Sequence, residues 1–442
     1  MKRSMRPHLL VRVATAALLV ILVTRSRSQV EAGQAEAGQA EPGQAEAGQA
    51  EPGQAEPGQA EPGHDLTVYA LTFGPGEHPF LKFGHNAILV QPSTGPGWVF
   101  NFGTFDFSDP ELIPKFLRGR FKYWLSVGGA EPTMEAYAAE DRTILSQELA
   151  LSAAQKWALW QALRENARPE NRAYLYDYFY DNCSTRVRDA LDRVTDGRIR
   201  AAGQAPATRT LRDHALRSVA DFLPEYVGLY LGLSRATDQP IDRWAETFLP
   251  EQLADLLRTV RLSDGSGERP LVKSEKVIYQ STRPAKPAQP PHWAIYFLGI
   301  GLMVGGALAL LGRSGRRHPG ARVVLGAATS VLGGLWGLLG LILVCFWAFT
   351  NHKVAYANAN ILQFAPWAIV LVAYGIGVML GRPGTTRRAG SVALSAMAFS
   401  ALGIVCKLLP GLNQDNWPFI LFSLPVWLGL WVALRAVLRA AE

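Results

Sequence analysis

The sequence predicts an α+β soluble domain followed by an all-α membrane domain of about five spans. Two observations carry this. Residues 64–285 mix charges and aromatics as a soluble domain does, whereas residues 293–434 are rich in Leu, Val, Gly and Trp, with charges confined to short breaks. Within the first region, short β-branched runs separated by Gly and Pro give way after Pro110 to patterns of helical period.

The chain opens Met-Lys-Arg-Ser-Met-Arg and continues into an apolar run from about Val13 to Val23, the form of an export signal. The run is short for a span, which favours a signal peptide over an anchor. A pentapeptide repeat, Glu-(Ala/Pro)-Gly-Gln-Ala, then extends from Glu31 to Ala60. It has no aromatic or branched apolar side chain to offset the entropy of ordering, so a flexible tether is expected.

Strands are expected over Leu66–Phe73, His85–Gln91 and Trp98–Phe107, separated by Gly74-Pro75-Gly76 and by the turn-formers of 92–97. Helices are expected over Glu111–Arg118, Thr133–Ile144, Ser152–Asn166 and from Asn182 to about Thr195, with further helical material in 208–260. Asn182 or Asp181 is placed to cap the fourth of these. The Pro-rich stretch at 286–292 is a linker. Spans are expected at about 293–311, 323–349, 364–380, 391–409 and 419–434.

Arg313, Arg316, Arg317 and Arg322 fill one break, Arg382, Arg387 and Arg388 another, and Arg435 and Arg439 the tail. The opposite loops hold a single basic residue, Lys353. The positive-inside rule then puts the Arg-rich loops and the C-terminus in the cytoplasm and residues before Trp293 outside the inner membrane. The net charge of +7 is accounted for largely by these arginines and argues for no nucleic-acid partner.

Of three cysteines, Cys345 and Cys406 fall inside apolar stretches, leaving Cys183 alone in the exported part. A lone thiol in an oxidising compartment points to a reactive group or an intermolecular bridge. Its polar setting, Tyr-Asp-Asn-Cys-Ser-Thr-Arg, argues against a core role. In the first turn of a helix, unpaired N–H groups would lower its pKa and receive an oxyanion. His85, opening the β-branched run after Gly84, is the best candidate base, and Asn101 on a neighbouring strand the natural third group. A structural histidine and a turn-forming asparagine are the competing reading for that pair.

Other polar positions carry less. Arg118 and Arg120 suit lipid phosphate or a solvated loop equally. His352, Asn358 and Asn360 lie in a polar loop expected on the same side as Cys183, suited to a head group or to helix capping. Arg186 and Asp189 read as a surface ion pair. Asp106 and Asp109 lack the oxygen ligands calcium needs, so no metal is expected. No CxxC, HExxH, P-loop or Rossmann glycine pattern occurs, and no cofactor is expected.

Three stretches together resemble the periplasmic domain of the Lnb family, associated with bacterial lipoprotein N-acylation. They are Phe83-Gly84-His85-Asn86, Val99–Phe105 and Tyr176–Arg186, supported by Phe116–Tyr123 and Pro169–Tyr174. The His-before-Cys order, with Asn-Cys opening a helix, is also similar to permuted NlpC-type thiol hydrolases, a group that includes lecithin:retinol acyltransferase. The resemblance covers roughly residues 65–200. It implies a papain-like α+β core, Cys183 as nucleophile and His85 as base, with Asn101 third. Asn182, Arg118, His352, Asn358 and Asn360 are the expected substrate-binding residues.

The expected activity is a membrane-bound acyltransferase that moves a fatty acyl chain from a glycerophospholipid, or another glycerolipid, to the N-terminal amine of lipoproteins through a cysteine thioester. An NlpC-type cell-wall peptidase is the alternative, though a single anchor would serve it. A non-catalytic membrane sensor or scaffold ranks third.

Overall fold

The computed structural model describes residues 61–106, 110–263 and 267–439. The export signal, the pentapeptide tether and Asp109 lie outside the described residues. The soluble domain is built on a seven-stranded sheet in the order β6-β4-β3-β2-β1-β5-β9, antiparallel throughout. The strands are β1 (Leu66–Phe73), β2 (His85–Pro92), β3 (Trp98–Thr104), β4 (Lys122–Gly129), β5 (Ile144–Leu149), β6 (Ala173–Leu175) and β9 (Val272–Tyr279). A separate pair, β7 (Arg261–Ser263) and β8 (Glu268–Pro270), forms a small ribbon.

Strand alternation divides the sheet's two faces. Val68, Ala70, Ile88, Val90, Phe100 and Phe102 point to a core shared with α3 (Ala153–Ala167), α4 (Cys183–Val194) and α9 (Pro250–Leu257). Leu71, Phe73, Ala87, Leu89 and Val99 point the other way, onto α2 (Ala130–Ala139). The connection α1 (Leu112–Arg118) and the helices α5 (Arg198–Ala202), α6 (Leu211–Ser218), α7 (Leu223–Gly232) and α8 (Arg243–Glu246) complete the domain.

Two helix starts expected from sequence are formed by reciprocal side-chain caps. Ser152 exchanges hydrogen bonds with Gln155 at the head of α3, and Asn182 does so with Thr185 at the head of α4. The helix expected over Thr133–Ile144 is corrected: α2 ends at Ala139 and the chain enters β5 at Ile144. β5 holds a buried polar side chain, Gln147, whose amide donates to Ala254 O and Glu275 Oε2, so its pattern does not alternate cleanly. The third strand ends at Thr104, with a register shift between Asn101 and Thr104.

The C-terminal region comprises α10 (Ala294–Gly315), α11 (Pro319–Phe349), α12 (Leu371–Met379), α13 (Pro383–Cys406) and α14 (Trp417–Leu438). Among the described residues four helices are long and apolar enough to cross a membrane: α10, α11, α13 and α14. The span expected at 364–380 is corrected to a broken element, Lys353–Leu362 followed by Pro366–Met379, bent by 59°, and it makes a fifth span if the pair is counted as one. The break falls beside Pro366, which has no N–H to give the preceding turn. The first and last long helices meet through glycine. A Cβ on Gly305 would stand 2.2 Å from Pro425 O, and one on Gly312 2.2 Å from Ala433 Cα.

The soluble domain is tied to the loops between the apolar helices and to the linker before them. Asn351 N–H donates to Arg118 O at 2.9 Å, Ser234 N–H to Val354 O at 2.7 Å, and Tyr226 Oη to Pro291 O at 3.0 Å. The most heavily bonded tie is the C-terminus of α7, described below.

Candidate active site

Cys183 is the first residue of α4, 7 % exposed, held there by its neighbour. Asn182 accepts from Thr185 N–H through Oδ1 and donates through Nδ2 to Tyr178 O and Phe248 O, each at 2.8 Å. All three side-chain bonds go to the protein's own main chain. Asn182 therefore positions the thiol, a correction to its expected place among substrate contacts.

The α4 dipole and N–H groups do face the sulfur. The main-chain N–H groups of Asn86, Ser184 and Cys183 all favour the thiolate, as does the Arg142 guanidinium more remotely. Burial outweighs them and pushes the Cys183 thiol up, opposite to the lowering expected from the helix start alone. The helix dipole is worth about 1 kcal/mol at a terminus, whereas burying a charge in a dry site costs several.

Asn86, whose N–H meets the sulfur, directly follows His85, so the strand start brings the histidine's backbone to the thiol. His85 Nε2 and Asn101 Oδ1 are 3.3 Å apart. With the proton on Nε2 and donated to Asn101, Nδ1 keeps its lone pair and can accept a proton. The imidazole lies 6.0 Å, centre to centre, from both Phe73 and Tyr137, near parallel to two rings that stack on each other at 3.7 Å. Burial and the Arg142 charge pull its pKa down to about 3, against a small upward pull from Asn101.

Burial thus leaves a neutral thiol at Cys183 and a neutral imidazole at His85, and no standing ion pair. A consequence can be measured. Alkylation of Cys183 by iodoacetamide is expected to climb about tenfold per pH unit from 6 to 9, with no plateau below pH 8. A plateau at pH 5–7 would mean a thiolate–imidazolium pair.

Gly103 makes room for the sulfur. Its φ is +88°, and a Cβ there would stand 3.3 Å from Cys183 Cβ and 3.5 Å from the Tyr176 ring. Gly103→Ala is expected to destabilise the domain by about 1–3 kcal/mol through the positive φ. It should also slow Cys183 alkylation at least threefold by crowding; melting temperature and labelling rate check the two effects separately.

Residues not singled out in the sequence complete the surroundings. Arg142 is buried, with Nε donating to Gly74 O at 2.9 Å and its guanidinium 4.5 Å from the centre of the Tyr137 ring. It sits in the α2–β5 loop, which the sequence pattern had merged into a helix, so no signal marked it. Tyr174 and Tyr176 both feel the Cys183 charge, and burial pushes both phenols up. Their alternation with Tyr178 was visible as a Tyr-x-Tyr-x-Tyr run.

Residues 59–215 match the family model described as the Lnb N-terminal periplasmic domain. This segment is an Lnb-family domain. No curated protein and no solved structure matches the chain. The Lnb match stops within α6, although the sheet is closed only by β9, so the folded unit is longer than the matched segment.

The remaining expected contacts lie where the Lnb domain meets the apolar helices. His352 Nε2–H donates to Phe116 O at 2.8 Å, and its ring stacks on Tyr178 with centroids 6.2 Å apart. Arg118 is exposed at the end of α1, its carbonyl accepting from Asn351. Asn358 and Asn360 are buried. Asn358 Nδ2 donates to Leu231 O and Gly232 O, and Asn360 Nδ2 to Leu231 O, at 2.8, 3.0 and 2.9 Å. Their expected substrate contacts are corrected to clamps on the carbonyls at the end of α7. The expected Arg186–Asp189 pair is also corrected: Arg186 NH2 bonds Asp181 Oδ2 at 2.7 Å, and Asp189 pairs with Arg188 at 2.8 Å. Among the described residues no group of His, Cys, Asp and Glu could hold a metal ion.

Proposed function

We propose that the protein is a cysteine-dependent acyltransferase that moves a fatty acyl chain from a glycerophospholipid to the N-terminal amine of lipoproteins. The observation that carries this reading is a thiol met by main-chain N–H groups, one of them from the residue after His85, in an Lnb domain bonded to apolar helices. Both donor and acceptor are bilayer-bound, which gives the apolar helices a reason to be in the same chain.

In the first half, His85 Nδ1 takes the Cys183 proton as Sγ attacks the ester carbonyl. The N–H groups of Cys183 and Asn86 receive the oxyanion. The C–O bond then breaks, His85 returns the proton to the departing lysophospholipid alcohol, and a thioester remains. In the second half the acceptor amine attacks the thioester carbon, a C–N bond forms and the C–S bond breaks. The proton lost by the amine passes through His85 back to sulfur. Exposed Arg118, beside the membrane loop, is proposed to pair with the donor phosphate, and His352 to order that loop. The thiol domain is proposed to lie on the periplasmic side of the inner membrane, with the Arg-rich loops and C-terminus cytoplasmic.

The test is the intact mass of the detergent-solubilised protein after incubation with a defined phospholipid. A hydroxylamine-labile acyl adduct is expected on the unmodified sequence and absent from Cys183→Ala. An adduct persisting in that variant, or none on a thiol that still alkylates, would sink the reading.

A further inference from the structure

We propose a second binding site, for a phosphate-bearing anion, at the end of the helix bundle away from the thiol domain. A cleft of about 610 Å³ opens between the C-terminal ends of α10 and α14 and the start of α11. Arg313, Arg316, Arg317, Arg435 and Arg439 line it, with Trp431. No carboxylate lines it, and among the described residues none of these five arginines is within salt-bridge distance of an Asp or Glu. Helix α10 starts beside the thiol domain and has 22 residues, so the cleft lies about 33 Å along its axis from that start.

The ordinary account of such arginines is that they orient the chain in the bilayer and complement helix C-termini. That account covers part of the set. Arg316 Nε donates to Ala436 O at 2.9 Å, capping the end of α14, and the Arg435 guanidinium stands 4.8 Å from the centre of the Trp431 ring. Two helix C-termini supply about half a negative charge each, and the α11 N-terminus returns about half a positive one. Five guanidiniums against that leave a surplus of roughly four and a half positive charges in one concavity. Orientation alone requires basic residues on that side and does not require them to converge on a cleft. Arg313, Arg317 and Arg439 remain without a side-chain partner among the described residues, and their planar forks suit phosphate oxygens.

The cleft borders the apolar helices, with an indole at its edge, so an anionic phospholipid head group and free inorganic phosphate share the chemistry it selects. The two sources separate in one experiment. The full-length protein in detergent is titrated with dioleoylphosphatidylglycerol, dioleoylphosphatidylcholine and inorganic phosphate, and bound ligand is counted by native mass spectrometry. Arg313→Gln/Arg317→Gln/Arg439→Gln is expected to weaken phosphatidylglycerol or phosphate binding at least tenfold. Arg387→Gln/Arg388→Gln, in the neighbouring basic break, should change it less than twofold.

Binding of phosphatidylglycerol that phosphate does not displace assigns a lipid head group, and displacement assigns free phosphate. The matching triple lysine variant keeps the orienting charge and should lose threefold or more with its forks, which covers a failure of the glutamine variant to fold. Undiminished binding in both triple variants, equal losses in the control, or phosphatidylcholine binding as tightly as phosphatidylglycerol would overturn the site.

Discussion

Arg212→Ala is expected to cost about 3–5 kcal/mol and to loosen the thiol domain from the helices beneath it. Arg212 is 1 % exposed, pairs with Asp238 and donates to Tyr230 O, Leu233 O and Ser234 O at 3.2, 2.9 and 3.2 Å. Those carbonyls end α7, where Asn358, Asn360 and Gln414 from the apolar region also converge. Asp238 in turn accepts from Asp415 N–H at 2.9 Å in the loop before α14. Alanine leaves a mostly buried carboxylate without its counter-ion and takes one donor from each of three carbonyls, which is why the loss exceeds that of a surface ion pair. Arg212→Met with Asp238→Leu removes both charges and should cost clearly less than the sum of the single changes. Thermal midpoints of the full-length protein decide it; additive losses would mean that the pair is not coupled.

His85→Ala is expected to lower the rate of thioester formation on the order of 10²–10⁴-fold. The mutation removes the group proposed to take the thiol proton, and burial has already pushed that thiol up, so little thiolate forms without a base. Asn101→Ala should give a smaller loss, because it frees the ring without deleting the base. Added imidazole is expected to restore part of the His85→Ala rate, because the truncation leaves a space the size of the ring it removed. Time-resolved intact mass reads all three. An unchanged rate in His85→Ala would remove the histidine from the mechanism.

What the sequence showed of this arrangement was local. β1 spans the expected Leu66–Phe73 residue for residue, β2 opens at His85, and Asn182 caps α4, because each is signalled within a few residues by alternation, glycine or a capping side chain. The pairing of His85 with Asn101 was also within reach, being a contact between adjacent strands. Misreadings came where the deciding partner is far along the chain. Asn358 and Asn360 looked available to a ligand, since nothing near them shows that their amides meet carbonyls at 231 and 232. The loop at 140–143 looked like the end of a helix and β5 went unread, its polar Gln147 being buried by groups at 254 and 275. The direction of the Cys183 shift was misjudged for the same reason: a helix start is legible in sequence, and the depth of its burial is not.

The contact between α10 and α14 sets a schedule for making the protein. These are the first and last of the long apolar helices, and they touch where Gly301, Gly305 and Gly312 leave no space for a side chain against 422, 425 and 433. Until the C-terminal segment has left the ribosome, the glycine face of α10 has no partner and stands open to lipid. Bundle closure therefore waits for α14, and nascent chains stalled before about residue 417 will hold the first helix ready and unmated.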